Sequence, residues 1–140
     1  MQSTAGLDEL LGDEERHATF HDARLLSVDV DYQTRELVAL WRMCVGDPGA
    51  SDKPARERCR NGRLTLQGLL FWVVEPPTEV TPKDGLPWLT SDGPLSTATT
   101  ATGRGLAQLL PAGAVGWYLY FSDWNAFAYC GANAATFQWV

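Results

Sequence analysis

The chain is 140 residues long and carries 17 Asp+Glu against 11 Lys+Arg, a formal net charge of −6, with 45% hydrophobic residues. A length of that order makes one domain that buries about two thirds of its unfolded surface, and the apolar content excludes disordered and fibrous classes. The acidic balance argues against nucleic acid as a partner, since phosphate neutralisation needs an excess of clustered Lys and Arg, and no run approaches the ~18 to 20 apolar residues of a membrane helix.

Residues 3–16 predict a short N-terminal helix. Ser3 or Thr4 stands at its start, Asp8 and Glu9 lie in its first turn, and Leu7, Leu10 and Leu11 recur at helical spacing. The opening residues lack the basic and apolar regions of a secretory signal, so the expected location is cytoplasmic. From Arg24 the period becomes two. Leu26, Val28, Val30 and Tyr32 alternate with Ser27, Asp29 and Asp31, and after a turn at Tyr32–Arg35 the residues Leu37, Ala39, Trp41 and Met43 share one face of a second strand. Gly46–Gly49 ends this hairpin. Residues 46–62 read as a polar connection that collects Lys53, Arg56, Arg58 and Arg60 and closes with a turn at Asn61-Gly62.

Arg63–Glu75 is the strongest strand pattern, its second half apolar on both faces as in a strand covered on both sides, and Pro76-Pro77 terminates it. Residues 76–114 read as a long loop with a helical turn or two at Gly105–Leu110. Val115–Phe121 alternates again, Asp123-Trp124-Asn125 turns, Phe127–Cys130 extends, Gly131–Asn133 turns, and Thr136–Val140 closes the chain. The expected fold is mainly β (α+β), with 1–140 forming one domain: a small antiparallel β-sandwich or curled sheet of about six strands with a short N-terminal helix.

The reactive side chains concentrate at His17-Ala-Thr-Phe-His21-Asp22-Ala23. Two His four apart with an Asp offer the donors of a metal site, which would suit a metal-dependent hydrolase, but helical spacing does not survive where a strand begins. The structural alternative has Phe20 plugging the core while His21 and Asp22 turn the chain. Cys44, Cys59 and Cys130 are odd in number and widely spaced, so no disulfide framework or zinc knuckle is indicated, and Cys44 and Cys130 read as buried small hydrophobes. No phosphate-cradling loop or serine-nucleophile elbow occurs, and no cofactor is expected. Asp29 and Asp31 share a strand face and read as solvated. Of the 6 Trp, four lie in strand patterns as core residues, whereas Trp88 and Trp124 sit in turn-rich loops where an aromatic can stack on a sugar or anchor an interface.

Phe20-His21-Asp22-Ala23 leading into Leu26-Ser-Val-Asp-Val30, with Leu66-Gln-Gly-Leu69 and Asp123-Trp-Asn125 later, resembles small bacterial proteins of uncharacterised function that step through Phe-His-Asp-Ala into a β-meander. Some of these resemble immunity proteins of polymorphic toxins. The resemblance implies a non-enzymatic cytoplasmic module that binds a protein partner, a basic toxin for instance, toward which an acidic surface speeds capture. His21, Asp22, Trp88 and Trp124 are its candidate partner-binding residues. The alternative is a β-sandwich that binds a small ligand or carbohydrate through its loop tryptophans.

Overall fold

The computed structural model describes residues 6–78 and 86–140, and in them six strands form a single open antiparallel sheet. In chain order these are β1 (Arg24–Asp31), β2 (Glu36–Cys44), β3 (Cys59–Val74), β4 (Leu89–Pro94), β5 (Val115–Phe121) and β6 (Ala126–Trp139), with short helix α1 (Lys53–Arg56) before β3 and helix α2 (Ala101–Gln108) before β5. Their spatial order is β1-β2-β3-β6-β5-β4. The sheet curls until its two edges meet at one point, where Arg24 bridges Trp88 and the amides of Leu25 and Leu89 donate to Pro87 O and Ala23 O at 3.0 and 2.9 Å. Of the two architectures expected, the curled sheet is the one adopted.

The concave face holds the main core. Leu37, Ala39, Trp41 and Met43 of β2 face Leu64 and Leu66 of β3, and Trp117, Leu119 and Phe121 of β5 complete the lining. Phe20 seals one end, edge-on to Trp41 at 5.5 Å and to Phe137 at 5.6 Å. In β1 the register slips between Leu25 and Ser27, so a bulge lets Leu25 point inward while Val28 and Val30 keep the same face and Ser27, Asp29 and Asp31 stay in water. A second, smaller core of Leu95, Ala98, Leu110, Ala114 and Tyr129 lies on the convex face under α2. Thr100 caps that helix by accepting from Gly103 N at 3.0 Å and also pairs with the Tyr129 hydroxyl at 2.7 Å.

Several local expectations are corrected. The helix expected at 3–16 reduces to a 3-10 turn at Leu7–Leu10, with residues 1–5 outside the described set. Its leucines still dock: Leu7 and Leu11 are buried in the main core. Asn61-Gly62 is no turn, because β3 begins at Cys59, and Gly131–Asn133 is no turn, because β6 runs unbroken. Both glycines are seats for rings. A Cβ on Gly62 would stand 2.2 Å from Phe137 Cζ, and one on Gly131 2.6 Å from Phe71 Cζ. Of the 76–114 loop, residues 79–85 lie outside the described set, and the described part contains β4 and α2. Cys44 is exposed, not buried.

Charge is redistributed as well. The acidic N-terminal segment and the basic connection lie against each other. Glu15 takes Arg58 at 2.5 Å and Arg60 at 2.9 Å, and Glu14 takes Arg60 at 2.5 Å. Those two guanidiniums hold the Glu15 carboxyl below its ordinary range. Arg60 further covers the Trp139 ring at 5.4 Å.

Candidate binding site

Three of the four candidate residues converge at the seam between β1 and β4. Phe20 enters the core and the next two residues must reverse the chain into β1, which places Asp22 in the left-handed region with φ 69°. Asp is among the residues that tolerate this conformation. Its amide donates to Leu89 O at 2.7 Å, and its carboxylate accepts from the Trp88 indole Nε1 at 2.9 Å and lies 3.2 Å from His21 Nδ1. The Arg24 guanidinium covers the Trp88 ring at 5.1 Å, donates to Leu86 O, and lies 3.7 Å from Asp123. Asp123 in turn accepts from the Trp88 amide at 2.9 Å. The contacts of Asp22 with Leu89 and Trp88, and of Arg24 with Trp88 and Leu86, tie one edge of the sheet to the other.

Trp124 lies on the same side of the molecule but has another task. It packs on Phe121 with ring centroids 6.0 Å apart and is half-buried against the main core. Trp88 is held on its nitrogen by Asp22 and over its ring by Arg24, so it clasps the seam, while Trp124 braces its turn against the main core. His17 turns to Asp47 at 3.7 Å, away from the His21–Asp22 pair. Among the described residues no group of three or more His, Cys, Asp or Glu is placed to hold a metal ion. Among them, too, no helix is long and apolar enough to cross a membrane.

The open surface lies elsewhere. β2 pairs with β3 only as far as Gln67, while β3 continues to Val74 with β6 on its other side. Beyond Gln67, the Arg35 carbonyl accepts from Leu69 N at 2.8 Å and the Arg35 guanidinium donates to Leu69 O at 3.2 Å. Past that point, among the described residues, nothing occupies the β2 side of β3. Glu75 N donates to Phe127 O of β6, and since successive residues of an antiparallel strand direct their backbone groups to opposite sides, the N–H and C=O of Trp72 and Val74 point to the vacant side. A groove of about 420 Å³ opens there, lined by Val30, Tyr32, Arg35, Leu69, Phe71 and Trp72. Tyr32 is 85% exposed and Val74 46%.

Sequence reasoning passed over this surface because Leu69–Val74 reads as a strand covered on both sides. The signal available was length: β3 has 16 residues and β2 only 9, so part of β3 outruns its neighbour.

No family model and no curated protein matches the sequence. Among solved structures, an uncharacterized protein from Neisseria gonorrhoeae aligns over 86% of this chain and 94% of its own length, at a TM-score of 0.44 and 10% identity.

Proposed function

We propose that this chain is a non-enzymatic protein-binding module whose partner lays an extended, cationic segment along the vacant side of β3. The observation that carries the reading is the unguarded edge. Natural edges are blunted by charge, proline or bulges. β1 has Asp29, Asp31 and a bulge, and β4 has Asp92, Pro94 and a register shift after Leu89. Leu69-Leu-Phe-Trp-Val-Val74 carries no charge and no proline, its bulge lies between Leu69 and Phe71, and the regular run Phe71–Val74 beyond it consists of aromatic and β-branched residues left bare among the described residues. Free backbone donors and acceptors in a strand are satisfied by another extended backbone, and Tyr32, Arg35 and Trp72 around them are the residue types that dominate interface energies.

Charge selects the partner's sign. Arg58 and Arg60 are paired with Glu15 and Glu14, and the net −6 leaves carboxylates such as Asp13, Asp29 and Asp52 exposed. A cationic partner is steered to such a surface, whereas a second copy of this chain is repelled. A basic toxin, the partner type suggested by the Phe-His-Asp-Ala resemblance, has this chemistry.

The test is photo-crosslinking in the native host from a benzophenone residue at position 32, with position 108 on α2 as the control, followed by titration of the purified captured protein. Expected is a single basic protein crosslinked from position 32. Its affinity should fall at least about tenfold in Tyr32→Ala, and its association should slow with added salt. Crosslinks spread equally over both positions, or binding indifferent to that variant, refute the reading.

A further inference from the structure

We propose that Cys44 and Cys59 form a thiol–disulfide pair, a modification site at the open end of the β2–β3 ladder. The two residues are separated by the whole polar connection in sequence, but the register sets them directly opposite each other as the terminal pair of the ladder. Val45 N donates to Arg58 O at 2.9 Å, which makes Val45 and Arg58 a hydrogen-bonded pair and puts Cys44 and Cys59 at the adjacent non-hydrogen-bonded position. Facing residues there have Cα atoms ~4.5 Å apart, inside the ~4.4 to 6.8 Å range that a disulfide spans. Cβ atoms at such a position stand ~4.5 to 5.5 Å apart and must close to ~4.5 Å or less. Beyond the pair the connection is held by Val45 N on Arg58 O and by Asp47 N on Ala55 O at 3.1 Å, so the closure falls on the two cysteine side chains and a small shift of the strand ends.

Both thiols are exposed, so a reagent reaches them. Partial burial, and after it the facing Cys59, push the Cys44 thiol up. Cys130 does not compete. It is buried beneath Trp117 O, and burial raises its pKa to about 12, which leaves it without thiolate at neutral pH.

The reaction is exchange with a low-molecular-weight disulfide. One cysteine thiolate attacks a sulfur of the reagent, forming a mixed disulfide and expelling one reagent thiolate. The second cysteine thiolate then attacks the protein sulfur of that mixed disulfide and expels the other. The two protons lost by the cysteines are taken up by the two leaving thiolates, so a protein dithiol and one disulfide give a protein disulfide and two thiols. The product closes the connection between β2 and β3, which holds Arg58 against Glu15 and thereby the N-terminal segment on the sheet.

The experiment is incubation of the full folded chain with glutathione disulfide, followed by intact mass, peptide mapping without reduction and thermal melting. Expected for the wild type is a monomer lighter by two hydrogens, a Cys44–Cys59 linked peptide, and a melting midpoint raised by about 10 °C that dithiothreitol reverses, as a closed loop of this size predicts. Cys44→Ser and Cys59→Ser, both at exposed positions that accept serine, should each retain one glutathione because the resolving thiol is gone. A wild-type chain that keeps glutathione on both cysteines, that links only to a second chain, or whose midpoint does not move overturns the assignment.

Discussion

Replacing Asp22 separates two contributions that the seam combines. The residue sits at φ 69° and accepts the Trp88 indole at 2.9 Å. Trp88 is 36% exposed and the Asp22 side chain 48%, so solvent competes for that bond and its net contribution is taken at about 1 kcal/mol. A left-handed φ costs an ordinary L-residue about 1 to 2 kcal/mol. Asp22→Ala loses the bond and incurs the backbone cost, so it should destabilise by about 2 to 3 kcal/mol. Asp22→Gly loses the bond and escapes the strain, but it adds about 0.5 to 1 kcal/mol of unfolded-chain entropy, for a total of about 1.5 to 2. Asp22→Asn tolerates the same φ and keeps an oxygen acceptor, and it should lose less than about 1 kcal/mol. Urea unfolding followed by far-ultraviolet circular dichroism reads the order without interference from the altered Trp88 emission, and an unchanged slope confirms that the variants unfold from the same state. Glycine no better than alanine would sink the backbone part of the reasoning. Asparagine as damaging as alanine would sink the hydrogen-bond part, and a Trp88→Phe cycle that proves additive with Asp22→Ala would do the same.

Phe20→Ala removes a fully buried ring that touches Trp41 and Phe137 and should cost about 3 to 5 kcal/mol, measured by urea unfolding, with tryptic cleavage at Arg16 accelerated in the folded protein; a loss under about 1.5 kcal/mol contradicts the plug. Glu15 has its carboxyl held low by Arg58 and Arg60, so the stability it contributes is present above the ordinary carboxyl range and is lost as pH falls through the lowered folded value. Melting midpoints of wild type and Glu15→Gln should therefore differ at neutral pH and converge in strong acid, and a constant gap argues against the ion pairs. Burial raises the Asp92 carboxyl, opposed by the amide of Leu7. Its ionised form therefore costs stability at neutral pH, and this cost fades as pH falls through the raised value. Asp92→Asn should raise the midpoint at pH 7 and leave it unchanged in acid, whereas a loss at pH 7 means that the Leu7 bond outweighs the burial.

Alternation over Leu37–Met43, Arg63–Leu66 and Val115–Phe121 was enough to read the strands and their buried faces, because period two is a direct imprint of a sheet with one dry side. What sequence reading misplaced follows from packing between distant segments. Asn61-Gly62 and Gly131 carry the composition of turns, yet their glycines are there because Phe137 and Phe71 lie on the backbone. β4 has Gly93-Pro94 within it and no alternation to betray it, and it is a strand only because β5 holds it. Of the candidate site, the Phe-His-Asp-Ala step was legible as a chain reversal, but its partner Trp88 lies 66 residues from Asp22 and only the curl of the sheet joins them. The open side of β3 was hidden because burial on two faces and freedom at one edge produce the same apolar run.

The place of β6 has a consequence for how the sheet is assembled. It is the last strand in chain order, yet it stands between β3 and β5 and bonds to both, so the first three strands and the pair β4–β5 remain separate until it arrives. Pairings of that sequence separation are slow to form. During synthesis the emerging β1–β3 meander therefore waits with the second half of β3 bare along both edges, the interval in which Leu69–Val74 is most open to pairing with another nascent chain. A chain cut before Ala126 would keep most of its apolar residues and lose the one element that makes its two parts a single sheet.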